Sequence, residues 1–275
     1  MKRCLTFLFL VGCLVQVCQS KKHCTIDNTT FVAGETLNYQ LYYNLSFVWI
    51  QAGTCQFSVR STSWGNKPVY QLMIQGKSQK SFDSFFKVRD TLVSYVDKDR
   101  LVPYKAFKFA HEDKWHGTDE FTFGEENGGW RVTTRLNRKK QWKAPVESWT
   151  SQCGFDLVTS LYRLRCMTNE TFYEVGKRTK IPVRLEDDEY SIYLTYLGKE
   201  RIKLYGGGYY VAHAFSLSMI EGKVFKRGDV LKMWVSDDGN KIPLLVESPI
   251  RVGFVKAVFR SAQSTLYPLV RGLSK

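Results

Sequence analysis

Histidine is scarce, with four among 275 residues. Two of them fall in His111-Glu112-Asp113-Lys114-Trp115-His116. A zinc-protease helix needs its histidines at i and i+4 on one face, and here they stand at i and i+5. The segment reads as a strand running into a turn, where an odd spacing sends the two rings to opposite faces. No C-x-x-C pair occurs, which leaves a cysteine zinc site unsupported. The chain also lacks a G-x-S-x-G nucleophile elbow and a Gly-rich phosphate loop before a helix. Gly206-Gly207-Gly208 lies between strands and reads as a turn. Neither a metal nor a cofactor is expected. Past the first twenty residues no apolar run is long enough to cross a bilayer as a helix. No Gly-, Pro- or Ser-rich linker divides the chain, so residues 21–275 read as one β-rich domain.

The N-terminus has the layout of an export signal. Met1-Lys2-Arg3 is basic, Leu5 to Val17 is mostly apolar, and Cys18-Gln19-Ser20 offers small residues for cleavage after Ser20. Leu10-Val11-Gly12-Cys13 also fits a lipidation signal. Against that, little chain precedes Cys13, and Leu14 to Val17 stays apolar where a lipoprotein turns polar. Cleavage after Ser20 removes Cys4, Cys13 and Cys18. Cys24, Cys55, Cys153 and Cys166 remain, an even number suited to an oxidising compartment. Four cysteines allow three pairings, and buried free thiols remain a further choice. A helix between Cys153 and Cys166 would hold those two about 20 Å apart, too far for a bridge.

Charge is lopsided. The formal net charge is +14, and Lys2 and Arg3 leave with the signal. For an exported protein the matching polyanions are anionic lipid, lipopolysaccharide or acidic glycan, and nucleic acid is not expected. The basic residues are spread along the chain, so a solvated basic surface is the plainer reading.

Apolar residues alternate with polar ones nearly throughout. Leu37, Tyr39, Leu41, Tyr43 and Leu45 start the pattern. It recurs at Tyr70-Leu72-Ile74, Trp130-Val132-Thr134-Leu136, Tyr190-Ile192-Leu194-Tyr196 and Tyr209-Val211-His213-Phe215, among others. Period two marks half-buried strands. Turn signals such as Trp64-Gly65-Asn66, Gly128-Gly129 and Glu186-Asp187-Asp188 separate them. Many strands on short turns mean an antiparallel meander. One stretch, about 151–166, has helical spacing instead, with Leu157, Leu161 and Leu164 beside Phe155, Val158 and Tyr162. Ser151 can cap it, Asp156 suits its start, and Arg163 and Arg165 suit its end. The helix divides the chain into β halves of about 25–147 and 167–272. A sheet this long must close or be covered. The fold expected is mainly β, one strongly curved antiparallel sheet or open half barrel with the helix in its concavity.

Several runs then stand out. They are Phe31-Val32-Ala33-Gly34-Glu35-Thr36-Leu37, Phe85-Phe86-Lys87-Val88-Arg89-Asp90, and Asp156, Ser160, Tyr162 and Arg165 on the helix. Tyr196-Leu197-Gly198-Lys199-Glu200, Trp234-Val235-Ser236-Asp237-Asp238 and Ile242-Pro243 complete the set. In order and spacing they resemble the domain-of-unknown-function family numbered 3108, common in exported proteins of Bacteroidota. The resemblance spans about Thr25 to Val258. It implies the periplasm or outer-membrane periphery of a Gram-negative cell, and brings no activity, substrate or catalytic residue. The shape also looks like that of periplasmic lipoprotein carriers with half-barrel folds, an analogy of fold alone. The Asn-x-Ser/Thr sequences at Asn28, Asn44 and Asn169 read as chance in such a host.

The candidate site residues are Arg89, Asp90, Asp156, Tyr162, Arg165, Glu200, Trp234, Asp237 and Asp238. Arg89-Asp90 and Asp156 with Arg165 suggest a buried polar network tying helix to sheet. The alternative has Arg89 and Arg165 grip an anionic head while the helix covers the apolar part of a ligand. Asp237-Asp238-Gly239-Asn240 has oxygens for calcium but too few for an EF-hand loop, and turn chemistry explains it. Trp49, Trp64, Trp115, Trp142 and Trp149 fall near turns, where they can line a groove or simply pack. Three functions follow. The first is non-enzymatic binding of a lipid or glycoconjugate. The second is glycan hydrolysis by a carboxylate pair drawn from Glu35, Asp90, Asp156 and Glu200. The third is a scaffold that binds another envelope protein at a sheet edge.

Overall fold

The computed structural model describes residues 24–45, 48–167, 170–204, 208–218, 230–250 and 253–269. The export signal, Gly206-Gly207 and the Asn169 sequence lie outside the described residues.

The chain folds as the alternation predicts. The first half supplies β1 (Thr36–Leu45), β2 (Val48–Trp64), β3 (Lys67–Ser78), β4 (Arg89–Asp97), β5 (Pro103–Glu112), β6 (Trp115–Glu126), β7 (Gly129–Arg138), β8 (Gln141–Trp142) and β9 (Val146–Thr150). The second supplies β10 (Phe155–Asp156), β11 (Arg178–Leu185), β12 (Asp188–Lys203), β13 (Tyr209–Ser218), β14 (Val230–Ser236), β15 (Pro243–Pro249) and β16 (Phe254–Gln263). Among the described residues two helices interrupt them, α1 (Lys80–Asp83) and α2 (Leu157–Arg165), with a 3-10 turn at Glu170–Tyr173. All sixteen strands join one sheet. It runs from β10 through β16, then β1, and on to β8, with β9 beside β7. Pairing is antiparallel except between β10 and β11. The two halves of the chain meet where β16 pairs with β1. The sheet is open, not closed into a barrel.

Its two edges are nevertheless bridged. Strand β9 pairs with β7 on one side, and four residues later β10 pairs with β11 on the other. Phe155 therefore turns inward and meets Trp130 and Phe123 edge-on, at 5.1 and 6.0 Å between ring centres. Cys153, in the crossing segment, is disulfide-bonded to Cys24 ahead of β1. Cys55 and Cys166 are free thiols. Of the open pairings, the protein thus uses one that joins the N-terminal segment to the crossing, across 129 positions.

Helix α2 sits in the concavity, as expected, but is shorter than 151–166. Ser151 lies outside it. Asp156 is the N-cap, and its carboxylate accepts the Thr159 N–H at 3.1 Å. The buried side chains are Val158, Thr159, Ser160, Tyr162 and Arg165, while Leu157, Leu161 and Leu164 are only half-buried. A helix lying in a hollow sheet is enclosed on more than one side, so its polar face is buried too. Val158 and Tyr162 pack with Phe31, Val59, Leu72 and Val96 of the first half. Leu164 and Met167 pack with Phe172, Leu194 and Phe215 of the second. Burial of each large side chain contributes about 1.5–3 kcal/mol, so the helix fastens both halves to one interior.

The motif Tyr196-Leu197-Gly198 proves to be a β-bulge in one long strand. Register with β13 shifts between Tyr196 and Gly198, and Gly198 takes φ +109°. A Cβ disfavours that conformation, which explains the glycine.

Candidate functional site

Arg165 is the best-held charge in the interior. Its Nη1 and Nη2 donate to the two Glu35 carboxylate oxygens at 2.7 and 2.9 Å. Nε and Nη2 donate further to the Asn240 carbonyl at 3.2 and 2.9 Å, and Nη2 reaches the Thr30 carbonyl. Glu35 is fully enclosed, and Arg165 is 7% exposed. Burial pulls the guanidinium pKa down, but the bonds from Glu35 outweigh it and the net direction is up. The buried network expected between helix and sheet exists, with a different partner. Asp156 does not meet Arg165. Its carboxylate accepts bonds from the Ser94 and Thr159 hydroxyls at 3.0 and 2.6 Å. Burial pushes the Asp156 pKa up against those bonds. Tyr162 stands between them, its ring 5.4 Å from the Arg165 guanidinium.

Arg89 lies on the other face of the sheet. It pairs with Asp83 of α1 at 2.7 Å, not with the adjacent Asp90, whose carboxylate accepts the His111 N–H at 3.0 Å. Strand parity puts Arg89 outside and α2 inside, so Arg89 and Arg165 do not share a ligand. The grip expected of that pair is therefore corrected. His111 and His116 are corrected as well. They face each other across the β5–β6 hairpin with ring centres 4.8 Å apart. The turn folds the two strands back together, so the pair shares a face despite its odd spacing.

The outward side chains build a polar trough across β16, β1, β2, β3, β4 and β5, with a volume of about 580 Å³. Leu37, Tyr39 and Ile74 face the core, so their neighbours Asn38, Gln40 and Gln75 face out. Cross-strand pairing then sets one row, Asn38, Gln56, Gln75 and Thr91, beside a second, Gln40, Thr54, Lys77 and Arg89. Gln56 donates its amide to Asn38 at 2.8 Å, and Asn38 donates to Ser261 at 3.1 Å. Arg260 and His111 stand at the two ends, and among the described residues Asp90 is the one carboxylate at the trough. Cys55, opposite Tyr39, turns its thiol into the core instead, where burial pushes it to about 12. A thiol at that value stays protonated and unreactive at neutral pH. Amides and hydroxyls in rows, with cations among them, suit a ligand rich in hydroxyl groups and carrying negative charge.

Asp237 belongs to a second cluster. Its Oδ1 meets His213 Nε2 at 2.8 Å and its Oδ2 accepts from Lys199 at 2.7 Å. A carboxylate only accepts, so Nε2 carries the proton and Nδ1 accepts from the Tyr196 hydroxyl at 3.0 Å. Tyr173 packs on the imidazole at 4.5 Å. Burial, then Lys241, lowers the His213 pKa. Asp237 is pushed up by burial, but Lys199 and His213 hold it down overall. His213 was legible only as an inward position of a strand, and its partners lie on β12, in the turn after β14 and on the 3-10 turn. Asp238 does ordinary turn work, accepting from the Ser236 hydroxyl and the Asn240 N–H. Glu200 accepts the Trp234 indole N–H at 2.7 Å. Among the described residues no cluster of metal-ligating side chains forms.

The four carboxylates considered for hydrolysis thus sit in four separate networks. Glu35 is bonded to Arg165, Asp90 to the His111 backbone, Asp156 to Ser94 and Thr159, and Glu200 to Trp234. No helix among the described residues is long and apolar enough to cross a membrane.

These features define an open, barrel-like β protein with a helix packed against both halves of its sheet and a polar outer trough. The chain belongs to the family described as protein of unknown function (DUF3108), which it matches over residues 38–260. The same architecture occurs in the crystal structure of a beta-barrel-like protein of domain of unknown function DUF1849 from Brucella abortus. That likeness has a TM-score of 0.53 at 9% identity and covers 83% of this chain and 96% of the other. At that identity it is a likeness of fold. No curated protein matches the chain.

Proposed function

We propose that this is an exported, non-catalytic binding protein of a Gram-negative cell envelope, and that its outer trough takes an acidic glycan or the sugar head of a glycoconjugate. The carrying observation is the trough itself, with two rows of amide, hydroxyl and basic side chains fixed by strand register. The Cys24–Cys153 bridge supports export, since such bonds persist in oxidising compartments. Packing of α2 against both halves supports a sugar ligand over a lipid carried inside the sheet.

Calorimetric titration with a uronate oligosaccharide, and with its neutral counterpart, tests the reading. Binding is expected for the uronate form, weaker by roughly tenfold in Lys77→Ala. Gln56→Ala with Gln75→Ala should weaken both sugars, since each hydrogen bond contributes about 0.5–1.5 kcal/mol. Heat identical in wild type and variants, or none with either sugar, would reject the trough as the site.

A further inference from the structure

One end of the sheet is not finished like a solvated surface. Residues 41–56, spanning the β1–β2 hairpin, contain no charged residue. Val48, Trp49 and Ile50 stand exposed in succession at its tip, Val48 at 61%. Phe254 pairs across from Asn44, and Asn44 from Trp49, so Phe254 lies at the same end. The β3–β4 connection adds exposed Phe85, at 65%, and Phe86. Tyr43 ties the two together, with its ring 5.9 Å from Phe82 and 6.1 Å from Phe85. An exposed apolar cluster of this kind marks a contact surface.

One flank of this cluster is rich in basic residues. Residues 77–89 contain Lys77, Lys80, Lys87 and Arg89 against Asp83 alone, which already pairs with Arg89. On the other flank Lys256 lies 4.4 Å from the Trp49 ring centre and pairs with Glu247 at 2.7 Å. Tryptophan and phenylalanine with lysine at their margin match the boundary of an anionic bilayer, where rings enter the headgroup layer and ammonium groups stay with the phosphates. A protein partner would be met by the apolar residues, but it gives no account of Lys80 and Lys87 set on either side of the exposed Phe85 and Phe86.

We infer that the Val48–Ile50 tip, Phe85, Phe86 and Phe254 form a membrane-docking rim that enters the headgroup layer of an anionic lipid surface. The inference stands whether or not the trough takes a glycan. It does set the trough's position, because Lys77 and Arg89 lie beside α1 and so directly above the docked rim.

The test uses the exported, processed protein with vesicles of equal parts phosphatidylglycerol and phosphatidylcholine, and with phosphatidylcholine alone. Co-sedimentation gives the partition, and brominated lipid reports the depth of Trp49. Wild type is expected to bind the anionic vesicles with Trp49 quenched. Trp49→Ser with Ile50→Ser should weaken binding by roughly tenfold. Lys80→Glu with Lys87→Glu should do so by roughly tenfold on anionic vesicles and little on neutral ones. Unchanged melting temperatures and circular dichroism would show both variants folded. Absent wild-type binding, or binding that neither pair alters, would overturn the inference. So would a wild-type dimer, or a captured protein, that is lost in Trp49→Ser with Ile50→Ser while vesicles are ignored.

Discussion

Breaking the Glu35–Arg165 pair should cost more than any other single side-chain change at the helix. Glu35→Ala leaves a guanidinium that is 7% exposed with the Asn240 and Thr30 carbonyls as its remaining acceptors and no counter-charge. Removing one partner of a buried pair costs about 3–5 kcal/mol, a large share of the 5–15 kcal/mol that holds a typical fold. Arg165→Met should cost at least as much. It strands the Glu35 carboxylate and also takes a donor from two carbonyls, each worth about 1–3 kcal/mol when orphaned. The double variant Glu35→Ala, Arg165→Met removes both charges, so its cost should fall short of the summed singles by about 2 kcal/mol or more. Urea unfolding followed by tryptophan fluorescence measures all four proteins. A Glu35→Ala cost under about 1 kcal/mol, or singles that add within about 0.5 kcal/mol, would refute the reasoning.

Three further expectations are simpler to check. His213 has a folded pKa below its ordinary 6.5, through burial and Lys241. The unfolded chain then binds that proton more readily, so its contribution is complete above about pH 7 and is lost as pH falls through 6.5. Melting temperature across that range should fall less in His213→Gln than in wild type, and equal slopes would exclude the assignment. Cys24→Ser with Cys153→Ser opens a 129-position separation, a loss of about 4–5 kcal/mol in the chain-entropy model. Melting with and without reductant should show the same drop in wild type, and none in the double serine variant. A Cβ at Gly53 would sit 2.3 Å from the Lys77 carbonyl of the next strand. Gly53→Ala should therefore cost about 2 kcal/mol or more, and a neutral result in urea would mean β2 and β3 do not approach so closely.

Period-two hydrophobicity carried the architecture because an open meander repeats one local rule along each strand. The central helix was legible for the same reason, from its change of period. Its start was not, since Ser151 and Asp156 are both good caps and only the crossing from β7 to β11 decides between them. The site was harder still. Glu35 and Arg165 stand 130 positions apart, and nothing local says which of several carboxylates an inward arginine will meet. Asp156 was nearer in sequence but had its own hydroxyl donors. The trough was hidden for another reason. Asn38, Gln56 and Gln75 are unremarkable singly, and become a row only once register pairs their strands. The exposed tryptophans near turns were legible as candidates. That Trp49 shares an end with Phe85 and Phe254 required the folded sheet.

The sharpest test of the account is where a sugar touches the chain. A uronate oligosaccharide bearing a photoreactive group, irradiated with the folded protein and mapped by peptide mass spectrometry, answers that directly. The account predicts labels concentrated in β1 to β4 around Gln40, Gln56, Gln75 and Lys77, and competition by unlabelled uronate sugar. Labels gathered on α2 or around Asp237, or scattered without competition, would contradict it.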